Sequence, residues 1–312
     1  MKRIVVLLLV AVFASGALMA QEKSDEGIGL SIGVELIIPD FEYADEFIIV
    51  RPFVDFEKSF DALDLYAGLG VPIAPIEDEM LVGIDFNLEG TYNLEIGDSS
   101  LLTFTVGTWM YLPFDNDKGM CTDYMYFGTG PGWAATEGGW SSGFGMHLNV
   151  GAGFTQTLDA GDLYFNINMP FNLISPSVSS WVDDPLLGGK FVDTSVNIFD
   201  VAELQFTVGM DLESGFGFGA VFYGWIGDSD AGDFVQNMDV FLSFETEPVF
   251  FGLTFGLPLY EDGFKYEGLT ITPEVEFGFD FGLTVFAGVP IYGVGSEDGI
   301  FAGLYVGAKF SF

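Results

Sequence analysis

The side chains most able to do chemistry in this sequence are its carboxylates, since 46 Asp and Glu residues stand against nine Lys and Arg. The chain has one histidine, His147, and one cysteine, Cys121. Nucleophilic catalysis would need partners for that histidine, and Ser142 or Asp162 are the candidates. A lone polar residue on the inner face of a sheet is the simpler interpretation of His147, so the sequence predicts no enzyme.

Two acidic runs have the oxygen-rich spacing that could hold Ca²⁺: "DNDKG" at 115–119 and "DSDAGD" at 228–233. Neither has the full ligand pattern or its closing Glu, so both are interpreted as solvated loops, and we expect neither metal nor cofactor. The formal net charge of -37 excludes nucleic acid as a partner, because like charges repel.

Several other carboxylates alternate with apolar residues in a period of two, which is typical of strands that have one apolar face. From Leu269 to Phe279, for example, apolar residues oppose Thr270, Thr272, Glu274 and Glu276. Several such runs exceed ten residues, which is long for soluble strands and suits a tilted crossing of a bilayer. Comparable runs begin at Ile28, Leu163 and Ala202.

The composition favours a membrane protein, with 49% apolar residues, 16% aromatic residues and a mean hydropathy of +0.40. The long uncharged stretches 138–158 and 163–182 are broken by glycine, asparagine or proline, so neither is a credible spanning helix. Only helices and closed barrels satisfy their backbone in lipid. The sequence therefore predicts an all-β fold, a transmembrane antiparallel β-barrel.

About 14 strands are expected, with 12 to 16 possible, joined by short periplasmic turns and longer extracellular loops. The predicted strands are 27–38, 46–57, 62–73, 80–96, 101–114, 142–157, 161–173, 190–212, 215–227, 235–245, 248–259, 268–279, 282–292 and 300–312. The short connections are predicted at 58–61, 97–100, 158–160, 213–214, 246–247 and 280–281.

The first residues, "MKRIVVLLLVAVFASGALMA", have the basic start, apolar run and small residues of a cleavable secretory signal. We expect residues 1–20 to be this signal, cleaved near Ala20, and 21–312 to form a single barrel domain. This organisation places the protein in the outer membrane of a diderm (Gram-negative-type) bacterium.

An apolar residue, a proline and another apolar residue recur five times, with the prolines at positions 72, 113, 170, 258 and 290. Each motif lies where a predicted strand approaches its outer loop. Proline removes a ladder donor and suits strand ends. The motif either serves only to end these strands or is what remains of an ancestral hairpin repeat.

The chain ends in "IFAGLYVGAKFSF", with apolar residues at every second position and a terminal aromatic. This ending resembles the C-terminal assembly signal of bacterial outer-membrane β-barrel proteins, in which Phe310 and Phe312 would contact the barrel-assembly machinery. The expected strand number also resembles that of small monomeric porins. Fatty-acid channels share that number but carry an N-terminal hatch, which 21–27 is too short to form.

The remaining candidate for a functional site is the barrel interior. A wall of inward carboxylates with few bases favours cations over anions, so we expect a passive channel for small cationic or neutral hydrophilic solutes in the lipid bilayer. The alternatives are a surface barrel that binds partners through outer loops such as 115–141, and a transporter of hydrophobic compounds. The predicted pore-lining residues are Glu35, Asp64, Asp85, Glu89, Glu203, Asp211, Asp239, Glu274, Glu276, Arg51 and Lys309, with Glu95, Asp193 and Glu245 as further inward acids.

Overall fold

The computed structural model describes residues 28–38, 41, 48–76, 79–113, 119–121, 139–142, 145–174, 177–182, 190–195, 202–226, 235–258, 269–295 and 300–312. The predicted signal at 1–20 and both acidic runs, except Gly119, lie outside these ranges. No helix within the described ranges is long and apolar enough to cross a membrane.

Nearly all described residues form strands, as the period of two predicts. The strands are β1 (Ile28–Ile38), β2 (Ile49–Phe60), β3 (Leu63–Gly70), β4 (Ile73–Ile76), β5 (Glu79–Ile96), β6 (Ser100–Pro113), β7 (Gly119–Cys121), β8 (Gly139–Ser142), β9 (Gly145–Leu158), β10 (Gly161–Ile174), β11 (Ser177–Val182), β12 (Lys190–Ser195), β13 (Ala202–Leu212), β14 (Phe216–Ile226), β15 (Val235–Thr246), β16 (Val249–Pro258), β17 (Leu269–Gly278), β18 (Leu283–Gly288), β19 (Ile291–Val294), β20 (Phe301–Ala302) and β21 (Leu304–Ser311).

The main sheet is antiparallel and closes on itself, because β1 pairs with β2 on one side and with β21 on the other. The N–H of Phe312 donates to the carbonyl of Leu30 at 2.9 Å across the same seam. Three wall strands are interrupted, so each appears as a pair: β3/β4, β18/β19 and β20/β21. When each pair is counted once, the barrel has 14 wall strands in the described chain. The predicted fold and strand number are confirmed.

The two ends of the barrel differ in their connections. At one end the turns are as short as Asp61–Ala62 and Asp159–Ala160, and Phe312 lies at this same end. Gly215 and Gly282 have positive φ values of 83° and 90° in two of these turns, a conformation that glycine adopts without strain. We call this the short-turn end and the opposite one the long-loop end.

The prediction of one strand over 190–212 is wrong. β13 pairs with β10 in the barrel, whereas β12 pairs with β11 in a separate four-stranded sheet of order β12-β11-β8-β7. The β9–β10 ladder shifts register between Asn172 and Ile174. This irregularity lies at the end of β10, shortly before β11 of the separate sheet begins.

The proline motifs have three different outcomes. Pro113 and Pro258 end β6 and β16, and Pro170 lies within β10. Pro72 and Pro290 interrupt wall strands, between β3 and β4 and between β18 and β19.

The two interruptions have the same hydrogen bonds. In each, the valine before the proline donates to a proline carbonyl on the preceding strand, and the motif's own proline carbonyl accepts from a glycine on the following strand. These bonds are Val71 to Pro52 at 2.9 Å, Gly83 to Pro72 at 3.0 Å, Val289 to Pro273 at 3.0 Å, and Gly303 to Pro290 at 2.9 Å. Neither interruption separates the wall strands from their neighbours.

Candidate functional site: the barrel interior

Alternation assigns each wall residue to one of two faces, and ion pairing identifies the inner one. Arg51 on β2 bonds Asp85 on β5 across the intervening β3. Side chains two strands apart meet on the concave face of a curved sheet, so these residues point inward. The opposite face exposes large apolar residues such as Phe206 and Phe277.

Three of the predicted residues form one cluster at mid-wall. The Arg51 guanidinium donates from Nε to Asp85 Oδ2 at 2.9 Å and from Nη2 to Oδ1 at 2.7 Å. Its Nη1 lies 3.6 Å from Glu35 Oε2. A bidentate pair of this kind is among the strongest protein hydrogen bonds, so Arg51 and Asp85 hold each other in position.

A glycine makes this pair possible. A Cβ at Gly70 would lie within 3.0 Å of both Arg51 Nε and Asp85 Oδ1, so the bonded groups occupy the space a side chain would fill. Asp85 is only 3% exposed. The cluster therefore lies flat along the wall of the barrel.

Tyrosines hold three more inward carboxylates. Tyr66 donates to Asp55 at 2.8 Å and Tyr223 donates to Asp239 at 3.0 Å. Tyr305 donates to Glu274, reaching over Gly288 on the strand between them. Sequence reasoning missed these tyrosines. Alternation could have placed two of them on the inner face, because Tyr305 shares the parity of Lys309 and Tyr66 shares that of Asp64.

The other predicted acids have varied surroundings. Asp64 accepts a hydrogen bond from Asn93, and the Glu89 carboxylate lies 3.4 Å from where a Cβ at Gly107 would be. Glu203 lies in β13 opposite Trp225, but its side chain is outside the described part, so its position remains a prediction. Asp193 lies in β12, in the separate sheet, so its assignment to the barrel wall is wrong.

Six acids near the short turns are exposed. Each lies on the inner face within three residues of the short-turn end of its strand, and none has an ion pair among the described residues. We call them the mouth carboxylates: Glu57, Glu95, Asp162, Asp211, Glu245 and Glu276.

The inner face toward the long-loop end is buried instead. Ile49 is 2% exposed, Tyr292 4% and Trp109 8%, and all three lie seven or more residues from the short-turn end of their strands. Ile49 is thus an apolar residue that packs on the inner face of β2. We call this set the buried layer, comprising Ile49, Phe53, Asp85, Trp109, Tyr223 and Tyr292.

Basic residues of the described barrel wall lie on two strands only. Arg51 and Lys58 are on β2 and Lys309 is on β21, on either side of β1. Lys309 faces inward opposite Gly33 and makes no ion pair within the described residues. From β3 to β19 the described wall has carboxylates without a Lys or Arg.

The geometry gives little support to a catalytic pair or a metal site among the described residues. Asp162 pairs with Thr157 and His147 pairs with Asn172, so the two are ten residues apart along the β9–β10 ladder, or roughly 34 Å. They cannot act as catalytic partners. Among the described residues, no group of three His, Cys, Asp or Glu side chains could hold a metal ion.

The C-terminal aromatics belong to a chain of rings on the outer face. Phe310 lies 4.9 Å from Phe312 and 6.3 Å from Phe281, between ring centroids. Phe281 lies 5.4 Å from Phe279, which lies 4.7 Å from Phe277. Aromatic residues at the rim are typical of membrane barrels, whereas recognition of Phe310 and Phe312 during assembly remains a prediction.

Solved structures with a similar fold include proteins described as a channel, a transporter and a porin. CymD, described as a monoaromatic hydrocarbon channel, matches with a TM-score of 0.50 and 9% identity over 96% of this chain and 91% of its own. The Ralstonia pickettii toluene transporter TbuX matches with 0.42 and 10%, over 92% and 90% of the chains. A triple mutant of the Rh. blastica porin matches with 0.41 and 8%, over 91% and 100%.

At 9% sequence identity, the match to CymD supports the fold but no statement about function. No protein-family model matches the chain, and no curated protein matches its sequence. The predicted outer-membrane β-barrel fold is thus confirmed.

Proposed function

We propose that this protein is an outer-membrane channel for passive diffusion of small hydrophilic solutes, with a bias toward cations. The observation that carries the proposal is the ring of exposed mouth carboxylates on the inner face of a closed barrel. Barrels of about eight strands fill with side chains and those of about sixteen enclose water. A barrel of 14 strands is close to the second case.

The bias follows from electrostatics in a confined space. Fixed negative charges in a low-dielectric wall raise the local concentration of cations and oppose the entry of anions. Arg51 adds little opposing charge, because it is bonded to Asp85 and lies beside Glu35. Lys309 is the other inward base of the described wall, against six mouth carboxylates.

A hydrophobic-compound channel is the second candidate. The buried layer includes four aromatic residues, Phe53, Trp109, Tyr223 and Tyr292, and CymD is described as a hydrocarbon channel. Lateral escape through the wall would need a break in the ladder, yet both proline interruptions remain hydrogen bonded to their neighbours. An axial aqueous route therefore has more support.

The surface-interaction alternative remains a prediction. Its main candidate, the loop 115–141, has ends that pair as β7 and β8, and residues 122–138 lie outside the described part. Nothing described favours a binding partner for it.

Reversal potentials in a planar bilayer test the proposed function. Under a KCl gradient near 0.1 M, where the Debye length is about 10 Å, the protein should be cation selective. A fourfold variant, Glu57→Gln, Asp211→Asn, Glu245→Gln and Glu276→Gln, should lose much of this selectivity while it still conducts.

A matched control removes the same charge from the short turns, through Asp61→Asn, Asp98→Asn, Asp159→Asn and Asp280→Asn. These residues lie outside the wall strands, so the control should retain most of the selectivity. Anion selectivity, or folded protein without conductance, would contradict the proposal. Faster uptake of monoaromatic solutes than of hydrophilic ones into liposomes would favour the second candidate.

A further inference from the structure

One register row on the inner face alternates carboxylates with aromatic rings. Following backbone pairs from strand to strand, Glu245 lies opposite Phe250, Phe250 opposite Glu276, and Glu276 opposite Phe286. The row continues through Gly307 and Glu35 to Arg51. We call these seven residues the acid–aromatic row.

The row runs from the short-turn end of the wall to the Arg51 cluster at mid-wall. Glu245 is one residue from the short-turn end of β15, whereas Arg51 is nine residues from that end of β2. Glu245 and Glu276 are exposed, and Glu35 and Arg51 are partly buried. Side chains directly opposite each other in antiparallel strands have Cβ atoms about 5 Å apart, so neighbouring members are close enough to share a ligand.

The aromatic members are arranged along the wall. Phe286 reaches over Gly307, where ring atoms occupy the position that a Cβ would take. Phe250 similarly lies 3.2 Å from where a Cβ at Gly252 would be. The Phe286 ring therefore lies along the wall toward Glu35, and the Phe250 ring lies along β16 toward Gly252.

The end of the row shows what such a wall binds. The Arg51 guanidinium is held by Asp85 and Glu35, and it lies 5.6 Å from the centroid of the Phe53 ring. Carboxylates and an aromatic ring thus bind an alkyl guanidinium inside this barrel. Glu245, Phe250, Glu276 and Phe286 repeat these components, and neither glutamate has a Lys or Arg partner within the described residues.

We propose that the acid–aromatic row binds organic cations that carry a guanidinium or ammonium group beside apolar surface, and that this is the solute class the channel favours. The inference rests on the proposed channel function. Aromatic faces attract such cations, and a guanidinium is weakly hydrated, so it loses little on leaving water. Sodium and potassium ions have no apolar surface with which to contact the rings.

Block of the K⁺ current by guanidinium chloride tests the inference. At constant ionic strength, guanidinium should reduce the current at concentrations where sodium has no effect. The double variant Phe250→Leu and Phe286→Leu keeps the apolar volume but removes both rings, and it should raise the half-blocking concentration roughly tenfold, as expected from two cation–π contacts.

The matched control is Tyr164→Leu with Phe241→Leu. These aromatics also face inward and reach over glycines, Gly209 and Gly219. Their row neighbours are Thr155, Gly209, Gly219 and Thr254, and none of these is a carboxylate. Its half-blocking concentration should stay within about twofold of the unmodified protein. Both double variants should keep their heat-modifiable gel mobility, which shows that they fold, and the control should also keep its K⁺ conductance.

Cation-selective conductance without guanidinium block, or equal shifts in both double variants, would overturn this inference and leave the proposed function standing. Anion selectivity or a lack of conductance would overturn the proposed function itself, and the inference with it.

Discussion

Carboxylates on the inner face differ in exposure between the two ends of the barrel. At the short-turn end Glu245 and Glu276 are exposed, whereas Asp85 toward the long-loop end is 3% exposed and bonded twice by Arg51. The difference lies in the partners, since the same alternation places all three on one face. A paired carboxylate holds the wall together, and in the proposed channel an exposed one sets the field that a passing ion meets.

Removing the cation that pairs with the buried Asp85 should have the largest effect on this comparison. Arg51→Met leaves Asp85 buried without its partner, which should cost about 3–5 kcal/mol of unfolding free energy. Urea-induced unfolding of the purified protein would measure it. The matched change nearer the short-turn end is Lys309→Met, which removes an inward cation without an ion pair in the described chain and should change stability by less than about 0.5 kcal/mol. Equal losses in both variants would contradict the contrast between the two ends.

The contrast also requires that the inner and outer faces are assigned correctly. Phe206 is 38% exposed on the outer face, and the adjacent Gln205 faces inward. Phe206→Arg places a charge in hydrocarbon and should cost roughly 2–4 kcal/mol near the midplane, whereas Gln205→Arg places it in the interior. Heat-modifiability gels should show folded Gln205→Arg at temperatures that unfold Phe206→Arg. The reverse order would mean that the faces are exchanged.

Two glycines of β1 give a smaller and finer test. A Cβ at Gly33 would lie within 3.0 Å of the Phe53 ring and of the Ala308 carbonyl, but one at Gly29 would lie 3.4 Å from Glu57 Cβ, which is ordinary contact. Gly33→Ala should therefore cost about 1–3 kcal/mol through overpacking, and Gly29→Ala should be tolerated. Thermal unfolding in detergent would compare them, and a tolerated Gly33→Ala would show that the mid-wall is less tightly packed than the structure indicates.

Much of the fold was predictable because alternation and turn chemistry are local. The predicted strands 80–96, 101–114 and 161–173 differ from β5, β6 and β10 by at most one residue at either end. The strand over 190–212 failed because parity continues through a segment whose ends belong to different sheets. Parity reports the face of a residue, and it contains no information about which strand lies beside it.

The sequence by itself determined that this protein is a membrane-spanning barrel with acids on its inner face, since a period of two, an apolar outer face and short turns are properties of neighbouring residues. Only the tertiary structure decided which acids are paired. Arg51 and Asp85 are 34 residues apart, Tyr305 and Glu274 are 31 apart, and each pair meets across a glycine on the strand between. Such contacts depend on strand register and wall curvature, which arise only when the closed sheet brings distant segments together.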